Sequence, residues 1–148
     1  MMNPDAIKNT VLTTLAAVGG VLANIFGGWD ALLRVLVALM AADYLTGLIV
    51  AGVFKRSKKT KSGRLSSTAC FQGIAKKCAI LLLVYIAVLL DSAIGQSYVR
   101  SAVIIFFIGN EGLSVLENVG LMGVPYPQFL RNMLQALHKQ GDEGGTSK

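Results

Sequence analysis

Histidine occurs once in the 148-residue sequence, as His138, and cysteine only twice, as Cys70 and Cys78. The cysteines form no CxxC or Cys/His pattern and the histidine has no partner nearby in sequence. A zinc-type ligand set or a Ser/His or Cys/His nucleophile therefore cannot be assembled, and no metal, no cofactor and no enzymatic activity are expected. Charge is scarce too, at 15% of residues against 53% hydrophobic, with a mean hydropathy of +0.59. That balance excludes an ordinary soluble domain and describes an integral membrane protein. The length leaves room for one compact membrane domain and little else, so an attached soluble catalytic domain is not expected.

Acid is the rarer sign, with 8 acidic against 14 basic residues, and the bases are not evenly spread. Lys55, Arg56, Lys58, Lys59, Lys61, Arg64, Lys76 and Lys77 fall in one stretch without a single Asp or Glu. Basic clusters can neutralise nucleic-acid phosphates, but this one lies between apolar blocks. Short basic loops beside membrane helices stay in the cytoplasm and meet anionic headgroups. The run is therefore read as a topology and lipid-facing loop, with membrane lipids and no nucleic acid as its partner. Cys70 and Cys78 lie on or beside it and are expected to be reduced.

Four stretches are apolar enough to cross a hydrocarbon core of about 30 Å. Residues 11–28 carry no charge and are followed by Trp29, an interfacial type of residue. Residues 31–54 follow after a tight Gly27, Gly28, Trp29, Asp30 link, and residues 78–95 form an almost unbroken apolar block ending near Asp91. Residues 101–124 make a fourth span, stopped by Pro125 and Pro127, which cannot continue a helix. The expected fold is an all-α polytopic membrane protein with four transmembrane helices and a basic cytoplasmic loop. Three spans remain an alternative if residues 101–124 lie at the interface. The membrane domain then covers residues 1–127. Residues 128–148 form a cytoplasmic tail, with Phe129, Leu130, Met133, Leu134 and Leu137 at helical spacing and a disordered end. A further amphipathic helix is expected over residues 62–77. With the basic loop inside, four crossings place both termini in the cytoplasm.

Polar residues inside these spans are the candidate functional positions. Asp43 lies mid-segment, where a carboxylate must be paired, hydrated or neutralised by a proton. Thr46 and Gly47 share its face, whereas Arg34 points to the opposite one, so Asp43 needs a partner from elsewhere. In the fourth span Asn110, Glu111, Ser114, Glu117 and Asn118 fall within an arc of roughly 120° at about 100° per residue. Such a stripe lines an aqueous path or an oligomer seam, or packs inside a bundle. In the first span Gly19, Ala23 and Gly27 recur every four residues, with Gly20 on an adjacent ridge. Small residues at that spacing let helices approach closely in lipid, either within the chain or between copies.

Three patches carry a family resemblance: Asp43, Tyr44, Thr46 and Gly47; then Gly63, Leu65, Ser66, Ser67, Gly73, Lys76, Lys77, Leu90 and Asp91; then Arg100 with the string NEGLSVLENVGLMGVPYP. On these residues the chain resembles the phage lysis and toxin-secretion holins, the small holins of Gram-positive hosts and their prophages. The resemblance implies a homo-oligomer that accumulates in the cytoplasmic membrane, then opens lesions through which an endolysin or a toxin passes. Met1 and Met2 are adjacent with no charge between them, so a dual start yielding two differently charged forms is not expected. A small ion or proton channel, or a non-conducting membrane adaptor, would be the rival readings.

Overall fold

The computed structural model describes residues 3–144 and is built of helices and their connecting loops over them. Helix α1 (Pro4–Ile25) leads to α2 (Ala31–Ile49), which ends in a π-helical turn, Val50–Phe54. Helix α3 (Ser67–Ile94), α4 (Val99–Leu121) and α5 (Gln128–Glu143) follow. Helices over Pro4–Ile25, Ala31–Phe54, Ser67–Ile94 and Val99–Leu121 are each long and apolar enough to cross a membrane. The adjacent starts Met1 and Met2 and the last residues of the tail, 145–148, lie outside the described residues.

Local chemistry sets the ends. Asp30 caps α2 by accepting from the Leu33 amide at 2.9 Å, which satisfies one of the donors a helix start leaves open. Helix α3 stops at Gly95, which takes the left-handed conformation with φ 67, as glycines that end helices commonly do. The start of α4 is capped from outside its own helix, with Asp91 accepting from the amides of Val99 (3.0 Å) and Arg100 (2.9 Å). One carboxylate thereby closes the α3–α4 corner and consumes two orphan donors. In the basic loop Gly63, with φ +70, sits where a Cβ would overlap the Lys55 carbonyl.

The core is a three-helix seam. Leu33, Leu36 and Met40 on α2 meet Ile80 and Val84 on α3 and Ile104 and Ile108 on α4. These spacings of three and four residues put one face of each helix inward. Helix α1 is different, because none of its residues is buried. An apolar helix that leaves most of its surface uncovered, with only Gly19, Leu22 and Ala23 edging a groove beside Leu33, Val37 and Leu81, depends on lipid for its apolar surroundings.

Two expectations are corrected. Residues 62–77 do not form a separate amphipathic helix before a span beginning at Cys78. From Ser67 onward they are continuous with the span, since the segment holds no proline and its Ala, Gln and Lys residues favour helix. Helix α3 has 28 residues. With a rise of about 1.5 Å per residue, such a helix is about 42 Å long, longer than a hydrocarbon core of about 30 Å is thick. The segment after Pro127 is the helix its apolar spacing predicts, and it packs back against α4. His138 Nδ1 comes within 3.4 Å of the Phe106 carbonyl and its ring lies 4.1 Å from the Phe106 ring. Gly141 to Glu143, expected as disordered end, are its last helical residues.

Candidate functional site: a buried charge cluster between α2, α3 and α4

Asp43 on α2, Lys77 on α3 and Glu111 on α4 converge where the three helices meet. The Lys77 ammonium bridges both carboxylates, donating to Asp43 Oδ2 at 2.5 Å and to Glu111 Oε2. The carboxylate side chains are 6% and 4% exposed and the lysine 17%, so this pairing is largely withdrawn from solvent. Two helical turns beyond Glu111, Asn118 donates to the Asp43 carbonyl (3.2 Å), to Asp43 Oδ1 (3.2 Å) and to Thr46 Oγ1 (3.0 Å). Thr46 in turn donates to the Ala42 carbonyl at 2.7 Å. Among the described residues no buried side-chain polar atom is left without a partner.

Charges taken out of water need close partners to repay desolvation, and one ammonium between two carboxylates makes each depend on the third. The cluster opens on one side into a groove of about 390 Å³ lined by Lys59, Lys76, Asn110 and Ser114 besides the ion-paired residues. The same groove is walled by Ile80, Leu83 and Phe107 on its apolar side, so the polar edge beside the cluster is the part open to water.

The sequence-derived stripe on α4 is therefore divided. Glu111 and Asn118 point into the bundle, Asn110 and Ser114 are half-buried along the groove, and Glu117 is exposed. Asp43 and Thr46 stand in the cluster as partners of that stripe. Of the basic run, Lys55, Arg56, Lys58, Lys59, Lys61, Arg64 and Lys76 are exposed. Lys77 departs from them, because α3 carries it into the helix junction where the acids lie. The sequence calls for a partner from elsewhere for Asp43, without specifying its kind, and places Lys77 in the lipid-facing loop; the position of Lys77 at the start of the third apolar block is the available signal. On α1, Gly19 and Gly20 have no neighbour within 4 Å of a notional Cβ. Gly27 belongs to the turn after α1, with φ +76, where a Cβ would meet Arg100 at 3.0 Å.

A second ionic tie, missed in the sequence, closes the opposite end. Arg100 donates through Nε to the Phe26 carbonyl (2.6 Å), through Nη1 to Asp30 (2.6 Å) and through Nη2 to the Gly28 carbonyl (3.1 Å). The Arg100 hydrogen bond holds the Asp30 carboxyl below the ordinary carboxylate value, against a smaller opposing effect of burial. A carboxyl that titrates lower when folded contributes its full stabilisation above the unfolded value, near pH 4, and loses it as pH falls through the folded value. Trp29 fluorescence in detergent should thus stay flat through the neutral range and shift only below about pH 4. Asp30→Asn should remove that shift; an unchanged transition in the variant would place its origin elsewhere.

An all-helical, multi-pass membrane protein with acids buried at a helix junction is the class these features define. A model of the bacteriophage holin family matches residues 20–139. The chain is 42% identical over 127 residues to an uncharacterized protein of Listeria innocua, covering 84% of this chain and 85% of the relative. It is 36% identical over 138 residues to an uncharacterized 14.9 kDa protein in the nagH 3' region of Clostridium perfringens, covering 92% and 98%. It is also 30% identical over 112 residues to a Bacillus phage phi105 protein named a probable holin, covering 75% and 77%. No solved structure matches the chain. The chain belongs to the bacteriophage holin family, and is a non-enzymatic, multi-pass protein of the bacterial cytoplasmic membrane.

Proposed function

We propose that this protein is a holin whose copies associate in the cytoplasmic membrane and open lesions that release an endolysin, or a toxin, without needing direct contact with that cargo. The observation that carries the reading is the Asp43–Lys77–Glu111 cluster inside helices apolar enough to span a bilayer. While the three charges satisfy one another, Asp43 and Glu111 are kept from lipid and the protein accumulates without damage. Once they separate, Asp43, Glu111 and Asn118 need water or other copies, and a hydrated gap between subunits supplies both.

The small-residue face of α1, where a Cβ on Gly19 or Gly20 would meet nothing within 4 Å and where Gly19 and Ala23 edge an open groove beside Leu33, Val37 and Leu81, is the contact through which copies meet, since small residues let helices approach closely in lipid. Asn110 and Ser114 border the groove, and with the exposed Glu117 they form the edge that turns toward water in the assembly. Loss of membrane potential is the natural trigger, since the potential does work of about 2.3 kcal/mol per charge per 100 mV on groups that move across the membrane.

The test is expression in a bacterium together with a muralytic enzyme that has no export signal. Abrupt lysis is the expected outcome, and Glu117→Leu should delay or abolish it at equal membrane abundance. Graded, ion-selective currents with no release of protein would replace the holin with a channel, and unchanged permeability would leave only an adaptor role.

A further inference from the structure

Helix α5 is joined to α4 at backbone distance. A Cβ at Gly109 would overlap the backbone of His138, and one at Gly141 the backbone of Phe106. A Cβ at Gly112 would run into the Leu134 side chain, and one at Gly144 would lie 2.9 Å from Ala102 Cβ. Glycines on both sides of the contact, spaced along it, allow this approach. The pairing order is antiparallel: Leu134 faces Gly112, His138 faces Gly109, Gly141 faces Phe106 and Gly144 faces Ala102. From the bend after Leu121, α5 therefore climbs back along α4 almost to its beginning at Val99. Helix α5 has 16 residues. A helix of that size is about 24 Å long, most of the thickness of a hydrocarbon core.

A helix held at that depth cannot turn charge toward acyl chains without a large penalty. On a helical projection of about 100° per residue, Arg131, Asn132, Gln135, Lys139 and Asp142 share an arc of roughly 100°, and all five are exposed. Phe129, Leu130, Met133, Leu134 and Leu137 occupy a separate arc of roughly 140°, in which the exposed Gln140 is the one strongly polar side chain. One arc suits lipid and the α4 contact, whereas the other requires water. Asp142 and Gly141 also line the groove of about 390 Å³ between α5, α4 and α3, on the side where α4 presents Phe106 and Phe107.

We propose that α5 is a membrane-inserted helix lying along α4 and that its polar arc, centred on Gln135 and Lys139, forms the water-contacting wall of the open lesion. It rests on the holin reading and assigns the wall to a segment which that reading left in the cytoplasm. Helices α4 and α5 act as one glycine-locked unit: α5 carries most of the wetted surface, beside the Asn110, Ser114 and Glu117 edge of α4. Each added copy contributes a further amphipathic strip, so the lesion perimeter grows with the number of subunits.

Spin labels on the full chain test this, using single cysteines at each position from Leu130 to Asp142 in a Cys70→Ser, Cys78→Ser background. The chain is reconstituted in vesicles of phosphatidylethanolamine and phosphatidylglycerol loaded with a marker enzyme. In vesicles that release the enzyme, collision with a water-soluble nickel chelate should rise at Asn132, Gln135, Lys139 and Asp142, while collision with oxygen should rise at Leu130, Met133 and Leu137. The alternation should follow the helical period, at bilayer depth. Gly109→Leu, which pries α5 from α4, should remove enzyme release although the chain still inserts. Enzyme release with all labels at headgroup depth would overturn the α5 assignment and leave the holin reading standing. Insertion with no enzyme release from the unsubstituted chain would overturn both.

Discussion

Lys77→Met should destabilise the closed bundle more than any change on the exposed basic loop. Removing one member of a buried ionic group leaves the others desolvated and unpaired, at a cost of about 3 to 5 kcal/mol. Here two carboxylates lose the same ammonium, and they sit on different helices, so α2 and α4 lose their electrostatic bridge to α3 together. Methionine keeps much of the length and the apolar stem, so the loss reports on charge and not on packing volume. The expected phenotype is early, weakly regulated lysis with a lowered unfolding temperature in detergent. Lys76→Met is the matched control, because Lys76 is its exposed neighbour. Substitutions at such positions stay within about 0.5 kcal/mol. Equal lysis times and equal unfolding temperatures for both variants would mean that the cluster does not hold the closed state.

The separation between what the sequence reveals and what it conceals follows from the physics of each element. Membrane spans are legible because hydrocarbon imposes long runs without charge, and the four stretches correspond to four helices that could cross. Their ends are less legible. Nothing in the composition of Ser67 to Lys77 distinguishes a helix lying on the surface from the first turns of a longer one, and continuity with the Cys78 block decides it. The need of Asp43 for a partner is legible from its depth alone. Which residue answers it is not, because Lys77 lies 34 positions away and reads as one more base in a basic run. Arg100 and Asp91 illustrate the same limit, since loop-closing roles depend on which corners the fold brings together. The docking of α5 is hidden for another reason: Gly109, Gly112 and Gly141 read individually as tolerated helix glycines, and only the antiparallel pairing gives them a shared purpose.

In this account the closed state has two ties. Arg100 fastens the α1–α2 corner to the start of α4, and the Asp43–Lys77–Glu111 cluster with Asn118 and Thr46 fastens α2 to α3 and α4. Only the second buries carboxylates in the apolar bundle, so only the second converts its own rupture into a demand for water.

A covalent bridge across that seam should therefore prevent opening altogether. Thr46 and Asn118 touch through their side chains, at 3.0 Å between Oγ1 and Nδ2, so cysteines at both positions, with Cys70 and Cys78 changed to serine, should be joined by a short bis-methanethiosulfonate reagent whose disulfide-linked bridge spans the gap left by the asparagine amide. The double variant keeps the same side chains under both conditions, and only the bridge differs, which removes loss of the Thr46 and Asn118 hydrogen bonds from the comparison. Lysis timing is then followed in cells expressing the Thr46→Cys, Asn118→Cys chain, with bridge formation verified by mass. The account predicts no lysis while the bond is intact and prompt lysis within minutes of adding a membrane-permeant reductant. Lysis on schedule with the bond quantitatively formed would contradict it, because α2 and α4 would then never have needed to part.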